Sequence, residues 1–240
     1  MRSFCAEEVD RAALARLAKM LADGAITSGQ AWSCFSQPDK LKKFGEQEVT
    51  FSVAEVKAYG AIRKLASSKL FEKFKGACVY CRRPVGRYGY SWHIEHVWPK
   101  ALHPHKTFLM SNLAIGCVDC NRWKGVRVDK TAAQALPIID PTQPKFKYSS
   151  HLGYVQISTE DLHLIKYLAK DPLGEKTHEL LNFAEIERFT LIDSMNGGLA
   201  QLHSELRRLL GACDPEDPDD ARLIDLLLKL RGSIYHVQGT

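Results

Sequence analysis

The chain has 240 residues, a formal net charge of +5 and a hydrophobic content of 45%, which is enough apolar material for one large domain or two small ones. It contains no run of about 18 apolar residues, so we expect no transmembrane helix. Its first residues include several acidic side chains and lack the apolar segment of a secretory signal, so we expect a cytoplasmic protein with reduced thiols.

Residues 1–59 are predicted to form a helical N-terminal region. Apolar side chains recur at helical spacing from Glu7 to Ala22, whereas residues 25–50 have weak periodicity and are predicted to be a loop. A second helix is expected from about Val53 to about Phe74. We assign this region a packing role, and binding of a partner protein is the alternative.

The positive charge is concentrated in the middle of the chain. Residues 60–150 hold 16 basic and 5 acidic side chains, whereas residues 1–59 hold 8 of each and residues 151–240 hold 9 basic and 15 acidic ones. Such a local excess is typical of a polyanion-binding surface. A basic, solvated face without a partner is the alternative.

Two Cys-x-x-Cys pairs bound the centre of this basic region. Cys78 and Cys81 form the first pair, Cys117 and Cys120 form the second, and 35 residues separate them. Four thiolates in two such turns are typical of a closed, tetrahedral zinc site. Two disulfides, or two unrelated turns that happen to contain cysteine, are the alternatives.

A cluster of polar residues lies between and just after the pairs. Residues 91–98 alternate well enough for a short strand that carries Glu95 and His96. A helix at residues 121–126 would bring Asn121 near Glu95. Carboxylate and amide oxygens suit Mg²⁺ or Mn²⁺, and a neutral imidazole can act as a general base near pH 7.

Taken together, this pattern resembles the HNH (ββα-metal) endonucleases that carry a four-cysteine zinc site. The likeness depends on the combination of motifs, because any one of them alone is weak. The matching residues are Cys78, Cys81, Ile94, Glu95, His96, Pro99, Lys100, Asn112, Leu113, Cys117, Cys120, Asn121 and Lys124.

The resemblance implies a role for each catalytic position. Glu95 and Asn121 would bind the catalytic divalent ion, and His96 would deprotonate the attacking water. Asn112 would orient the loop beside the histidine. The four cysteines would hold a structural Zn²⁺.

Two lysines in the same region, Lys100 and Lys124, are candidates for contacts to phosphate groups of a nucleic acid. For Lys124 a solvated charge on the helix is the alternative.

A looser likeness covers roughly residues 65–195. It is similar to the HNH subunit (PtuB-like) of Septu-type and retron-associated anti-phage defence systems, in which the nuclease pairs with an ABC/SMC-like ATPase. The chain has no G-x-x-x-x-G-K motif, so such an ATPase would be a separate chain. The residues that carry this likeness are Ile139, Asp140, Pro141, Gly153, Thr177, Leu180, Leu181, Asn182 and Arg188.

The last part of the chain is predicted to be mostly helical. Residues 145–148 and 154–157 are predicted to form a small hairpin, and residues 158–161 resemble a capping box that starts a helix. A further helix or two is expected at residues 175–191. Two leucine stripes follow, which would form a helical hairpin over the core or a platform for a partner subunit; they are Leu199, Leu202, Leu206, Leu209 and Leu210, and then residues 223–230.

We therefore predict an α+β protein with a zinc-stapled ββα-metal (HNH) core and flanking helical regions. The predicted divisions are residues 1–59, the nuclease core at 60–150, and the C-terminal region at 151–240. The predicted activity is phosphodiester hydrolysis of DNA or RNA. The alternatives are a non-catalytic zinc module that binds nucleic acid or a partner, and a structural adaptor that depends on the leucine-rich tail.

Overall fold

The computed structural model of the protein describes residues 5, 7–86, 92–159, 163–195, 197–213, 220, 222–227 and 229–230. Helices and small two-stranded sheets are mixed along this part of the chain, in agreement with the predicted α+β class. In the same part, no helix is long and apolar enough to cross a membrane.

The N-terminal region contains more structure than its sequence periodicity predicts. The predicted helices at Glu7–Ala22 and Val53–Phe74 are confirmed, but the loop predicted at 25–50 is wrong, because a helix and a β-hairpin lie there. In chain order the elements before the first cysteine pair are α1 (Glu8–Ala22), α2 (Ser28–Ser36), β1 (Leu41–Phe44), β2 (Gln47–Thr50) and α3 (Val53–Lys73). Strands β1 and β2 pair antiparallel.

Local hydrogen bonds explain the elements at 25–50. The Thr27 hydroxyl accepts a hydrogen bond from the Gln30 amide at 3.2 Å, and the Gln30 side chain accepts one from the Thr27 amide at 2.8 Å. This capping box starts α2 without a long apolar stripe. Gly45 supplies the positive φ of 65° that the turn between β1 and β2 requires.

Helix α3 carries the chain to the first cysteine pair. It starts with a second capping box, formed by Ser52 and Glu55. It ends before Lys75 and Gly76, whose positive φ angles turn the chain toward Cys78. Its inner face is apolar and joins the helices before it, because the Tyr59 hydroxyl donates to the Ala13 carbonyl at 3.0 Å. The buried residues of α3 are Ala58, Tyr59, Ile62, Ala66 and Leu70.

Two strands and a helix follow the first cysteine pair. Strand β3 (Trp92–His96) pairs antiparallel with β4 (Leu113–Cys117), and α4 (Val118–Arg127) follows β4 directly. The helix was predicted to start at Asn121, but it starts one turn earlier, because the Cys117 sulfur accepts a hydrogen bond from the Cys120 amide and caps it. Asn121 therefore lies within the helix.

The C-terminal part differs from its prediction in two places. Residues 145–148 form no strand, and β5 (Leu152–Ser158) pairs instead with β6 (His163–Ala169). The helix expected after residues 158–161 is therefore wrong; residues 160 and 161 of that predicted capping box lie outside the described residues. The helices predicted from about 175 onward are confirmed. The helices of this part are α5 (Tyr148–His151), α6 (Pro172–Leu180), α7 (Phe183–Met195) and α8 (Gly197–Ala212).

The chain divides into two compact units. The first comprises Met1–Gly153 and Ala169–Asn182, and the second comprises Tyr154–Leu168 and Phe183–Thr240. Within the second unit, a leucine cluster joins α8 to the helical residues 222–227, which agrees with the predicted pair of leucine stripes. Its buried members are Leu206, Leu210 and Leu227. The predicted division into three regions at residues 59 and 150 stays a prediction.

Candidate active site and metal centre

The four cysteines of the two pairs meet in one buried cluster. Their sulfur atoms all lie within 4.8 Å of one another, and Sγ of Cys81 is 3.7 Å from Sγ of Cys117. A tetrahedral zinc ion with Zn–S bonds of about 2.3 Å places its sulfurs roughly 3.8 Å apart. None of the four forms a disulfide, so the disulfide alternative is wrong. The donor set and its spacing fit a tetrahedral metal ion.

Hydrogen-bond donors surround these sulfurs. The Arg83 guanidinium donates to the sulfurs of Cys81 and Cys117, both at 3.4 Å, and it pairs with Asp119 at 2.5 Å. The Cys117 amide donates to the Cys78 sulfur at 3.3 Å. Burial alone would lower the pKa of Arg83, but the facing sulfurs and Asp119 raise it. Such donors stabilise thiolates and orient them toward a shared cation.

Glu95 and Asn121 approach each other across a glycine. Gly116 lies in β4, and a Cβ added there would be 3.1 Å from Cβ of Glu95 and 3.9 Å from Cβ of Asn121. The missing side chain leaves room for α4 to bring Asn121 close to the strand that carries Glu95. A carboxylate and an amide oxygen form a hard donor set, which suits Mg²⁺ or Mn²⁺. The sequence prediction that these two residues lie together agrees with this placement.

Lys124 is buried between two carboxylates. Its side chain is 1% exposed, and its ammonium is 2.8 Å from Oε1 of Glu95, 2.5 Å from Oδ1 of Asp129 and 2.9 Å from the His96 carbonyl. Burial alone would lower the pKa of Lys124, but the two carboxylates raise it. The solvated-charge alternative is therefore wrong, and the placement does not favour the predicted phosphate contact. Lys100 is half-buried, and its phosphate contact stays a prediction.

His96 is held in one tautomer by a backbone carbonyl. Its Nε2 lies 3.0 Å from the carbonyl oxygen of Thr107, and because a carbonyl can only accept, Nε2 carries the hydrogen. Nδ1 then keeps its lone pair. Burial, and then the charge of Lys100, lower the pKa of His96 to about 3. The ring is therefore neutral near pH 7 and has one nitrogen that can accept a proton.

The N-terminal region contributes a residue that sequence reasoning missed. The Trp32 ring of α2 packs edge-on against the His96 imidazole, with ring centroids 4.3 Å apart and an interplanar angle of 80°. Trp32 also lies near Phe35 and Phe108, so this aromatic group joins α2 to the loop that carries Thr107. The capping box at Thr27 was the only local signal that a helix would present this side chain.

Asn112 anchors the loop that carries Thr107. Its side-chain oxygen accepts from the Trp98 amide at 2.8 Å, and its side-chain nitrogen donates to the carbonyls of Trp98 at 3.0 Å and Lys106 at 3.3 Å. The backbone carbonyl of Asn112 also accepts from the Val97 amide. These bonds fix the chain directly after His96, which is the place expected of an orienting residue.

Comparison with known proteins identifies the central segment. No curated protein and no solved structure matches the chain. The model of the HNH endonuclease family matches residues 78–127, which span both cysteine pairs, β3, β4 and α4. The chain therefore carries an HNH endonuclease domain at residues 78–127.

Proposed function

We propose that the protein is a metal-dependent endonuclease that hydrolyses phosphodiester bonds of nucleic acid. The observation that carries the proposal is the arrangement on β3. Glu95 faces Asn121 across Gly116, and the next residue, His96, is a neutral imidazole with one fixed hydrogen. A module that only binds nucleic acid needs neither a hard donor pair nor an oriented base beside it.

In this proposal the chain supplies an oriented base and a rigid frame. Nδ1 of His96 accepts a proton from the attacking water, and the Thr107 carbonyl keeps the other nitrogen protonated. Asn112 holds the loop in place. Lys124 fixes the carboxylate of Glu95 from its buried position.

Two kinds of metal ion belong to the proposal. Glu95 and Asn121 would hold Mg²⁺ or Mn²⁺, which as a Lewis acid supplies charge stabilisation at the phosphoryl group. Cys78, Cys81 and the second cysteine pair would hold a structural Zn²⁺. We also propose that the protein acts in the cytoplasm, where thiols stay reduced.

The finer proposal is that this nuclease is the effector of an anti-phage defence system and acts with an ABC/SMC-like ATPase. It rests on the resemblance over residues 65–195. Two hydrogen bonds connect the residues that carry this likeness. The Ile139 amide donates to the Thr177 hydroxyl at 2.9 Å, and the Trp98 indole donates to Asp140 at 3.0 Å. Residues that carry the wider likeness are thus bonded to each other and to the domain.

The test is cleavage of plasmid DNA and of total tRNA by zinc-loaded protein, with and without Mg²⁺ or Mn²⁺. His96→Ala is compared with His163→Ala, which makes the same change at an exposed position outside residues 78–127. We expect metal-dependent cleavage that His96→Ala abolishes and His163→Ala largely keeps. The preferred substrate then decides between DNA and RNA.

A second arm tests the partner. If the wild-type protein is inactive alone, the assay is repeated with the ATPase that co-purifies with it. Inactivity in both arms, in protein with full zinc content, would contradict the nuclease proposal and leave the binding module. Cleavage without any partner would retain the nuclease and remove the need for the ATPase.

A further inference from the structure

A groove runs along the outer face of α3, outside the candidate active site. It has a volume of about 480 Å³, and its α3 residues recur every three or four positions from Gly60 to Glu72. That spacing places them on one side of the helix, away from the buried stripe that includes Ile62 and Ala66. Twelve residues at about 1.5 Å each give the groove a length of roughly 18 Å.

The groove has the chemistry of a phosphate-binding surface. Arg63 and Lys64 line it, and within the described part of the chain neither of them pairs with a carboxylate. The hydroxyls of Ser67 and Ser68 lie one turn further along the same side. The acidic member, Glu72, lies at the far end and is paired with Lys69 at 3.3 Å, so its charge is partly offset.

An aromatic wall closes one side of the groove. Trp92 lines it from β3, and its ring lies 6.0 Å from that of Phe71 on α3. The Trp92 indole donates to the Gly86 carbonyl at 2.9 Å, which fixes the ring in place. Cations and hydroxyls beside a fixed aromatic surface are the elements with which proteins bind a nucleic acid strand.

Strand β3 connects this groove to the candidate active site. Trp92 begins the strand and His96 ends it, and the alternation of side chains places both on the same face. Four residues at about 3.3 Å each separate them by roughly 13 Å. At a rise of about 3.4 Å per nucleotide, that distance equals roughly four nucleotides of one strand.

We propose that the groove on α3 binds the sugar–phosphate backbone of the substrate nucleic acid, a few nucleotides away from the bond that is cleaved. This inference rests on the proposed function and extends it. It assigns the substrate path to Arg63 and Lys64, and it gives α3 a role beyond packing. Two of the basic side chains of residues 60–150 then have a defined role.

The test measures binding without cleavage. A fluorescent 20-nucleotide duplex and its single strand are titrated with zinc-loaded protein by anisotropy, with no Mg²⁺ or Mn²⁺ and no chelator, at several salt concentrations. The groove variant is Arg63→Ala with Lys64→Ala. The control is Lys57→Ala with Lys73→Ala, which removes the same two charges from exposed positions of the same helix outside the groove.

We expect the groove variant to bind at least about tenfold more weakly at 0.1 M salt. Its slope of log K against log salt should be shallower by about 1.8 for the duplex or about 1.4 for the single strand, since each lost phosphate contact removes about 0.9 or 0.7. The control pair should stay within about twofold of wild type. All four substituted side chains are exposed, so unchanged melting temperatures are expected.

Each contrary outcome has a separate meaning. Equal weakening by the two double variants would overturn the groove and leave the endonuclease intact, because charge alone would then explain the binding. Wild-type protein that cleaves nucleic acid but shows no groove-dependent binding would do the same. Wild-type protein that neither binds nor cleaves would remove the proposed function along with the groove.

Discussion

At the scale of single residues, Lys124 has the most unusual environment. A lysine with 1% of its side chain exposed must be balanced by charge, and here Glu95 and Asp129 balance it. Its third bond, to the His96 carbonyl, connects the cation to the residue beside Glu95. From α4, the ammonium therefore holds in place the strand that carries both candidate catalytic side chains.

Replacing Lys124 by Met should destabilise the protein by about 3 kcal/mol, because it leaves the buried carboxylate of Glu95 without its cation. Lys130→Met, at an exposed position six residues along the chain, is the control and should change stability by less than about 0.5 kcal/mol. Urea unfolding of the zinc-loaded proteins measures both. Equal stabilities would show that Glu95 does not depend on this ion pair.

Gly116 is the second residue whose environment leads to a prediction. A methyl group at this position would lie 3.1 Å from Cβ of Glu95, so the Glu95 side chain must shift by a few tenths of an ångström to admit it. Gly116→Ala should therefore destabilise the protein by about 1–3 kcal/mol. It should also weaken Mn²⁺ binding, measured by calorimetry on zinc-loaded protein.

Gly125→Ala makes the same change on α4 in open space, since a Cβ there meets nothing within 4 Å. An alanine inside a helix is favoured over glycine by about 0.5–1 kcal/mol, so this control should be slightly stabilising. A Gly116→Ala variant that binds Mn²⁺ as wild type does would count against Glu95 and Asn121 as a shared metal site.

At the scale of elements, α2 contributes a side chain to the candidate active site. It lies outside residues 78–127, yet its Trp32 packs directly on the His96 ring. The Thr107 carbonyl and Trp32 together limit the orientations of the imidazole. An element of the N-terminal region thus belongs to the frame of the candidate base.

Trp32→Ala should lower kcat for cleavage by about ten- to a hundredfold with little change in KM, because a misplaced base affects the chemical step and not substrate binding. Trp32→Phe keeps an aromatic ring there and should restore most of the activity. Steady-state cleavage kinetics measure both. A rise in KM at unchanged kcat would show instead that Trp32 contacts the substrate.

At the scale of the whole molecule, the cysteine cluster holds the first unit together. The 35 residues between the two pairs include β3, β4 and the loop that carries Thr107 and Asn112. The cluster of four sulfurs closes this segment and joins the turn after α3 to the start of α4. The arrangement of the site therefore depends on this cluster.

Removal of the Zn²⁺ that we propose the four cysteines hold, by a strong chelator, should unfold this part of the molecule, since metal-binding energy in such sites contributes to folding. We expect loss of the near-ultraviolet circular dichroism of the tryptophans and their recovery when Zn²⁺ is added back under reducing conditions. The leucine cluster of the second unit has no cysteine among its buried members, so much of the helical signal should remain. An unchanged spectrum after complete zinc removal would contradict the structural role.

The sequence predicted the metal cluster and the placement of Glu95 near Asn121, because the spacing within each motif determines local geometry. It predicted the long helices through their apolar periodicity. It missed α2 and the β1–β2 hairpin, which are too short to show a period, and it assigned the strand residues around Ile165 to a helix. The sequence could not predict the burial of Lys124, because this burial depends on two carboxylates from separate elements.

Cys117 ends β4, provides the sulfur that caps α4, and belongs to the metal cluster. At Thr27 and Ser52, which cap α2 and α3, any of Ser, Thr, Asp or Asn can provide the capping oxygen. At residue 117 that freedom is lost, since only cysteine provides both a cap and a soft metal ligand. Tolerance to substitution should therefore differ sharply between helix starts that have similar geometry, and the start of α4, where Asn121 lies in the first turn, should tolerate it least.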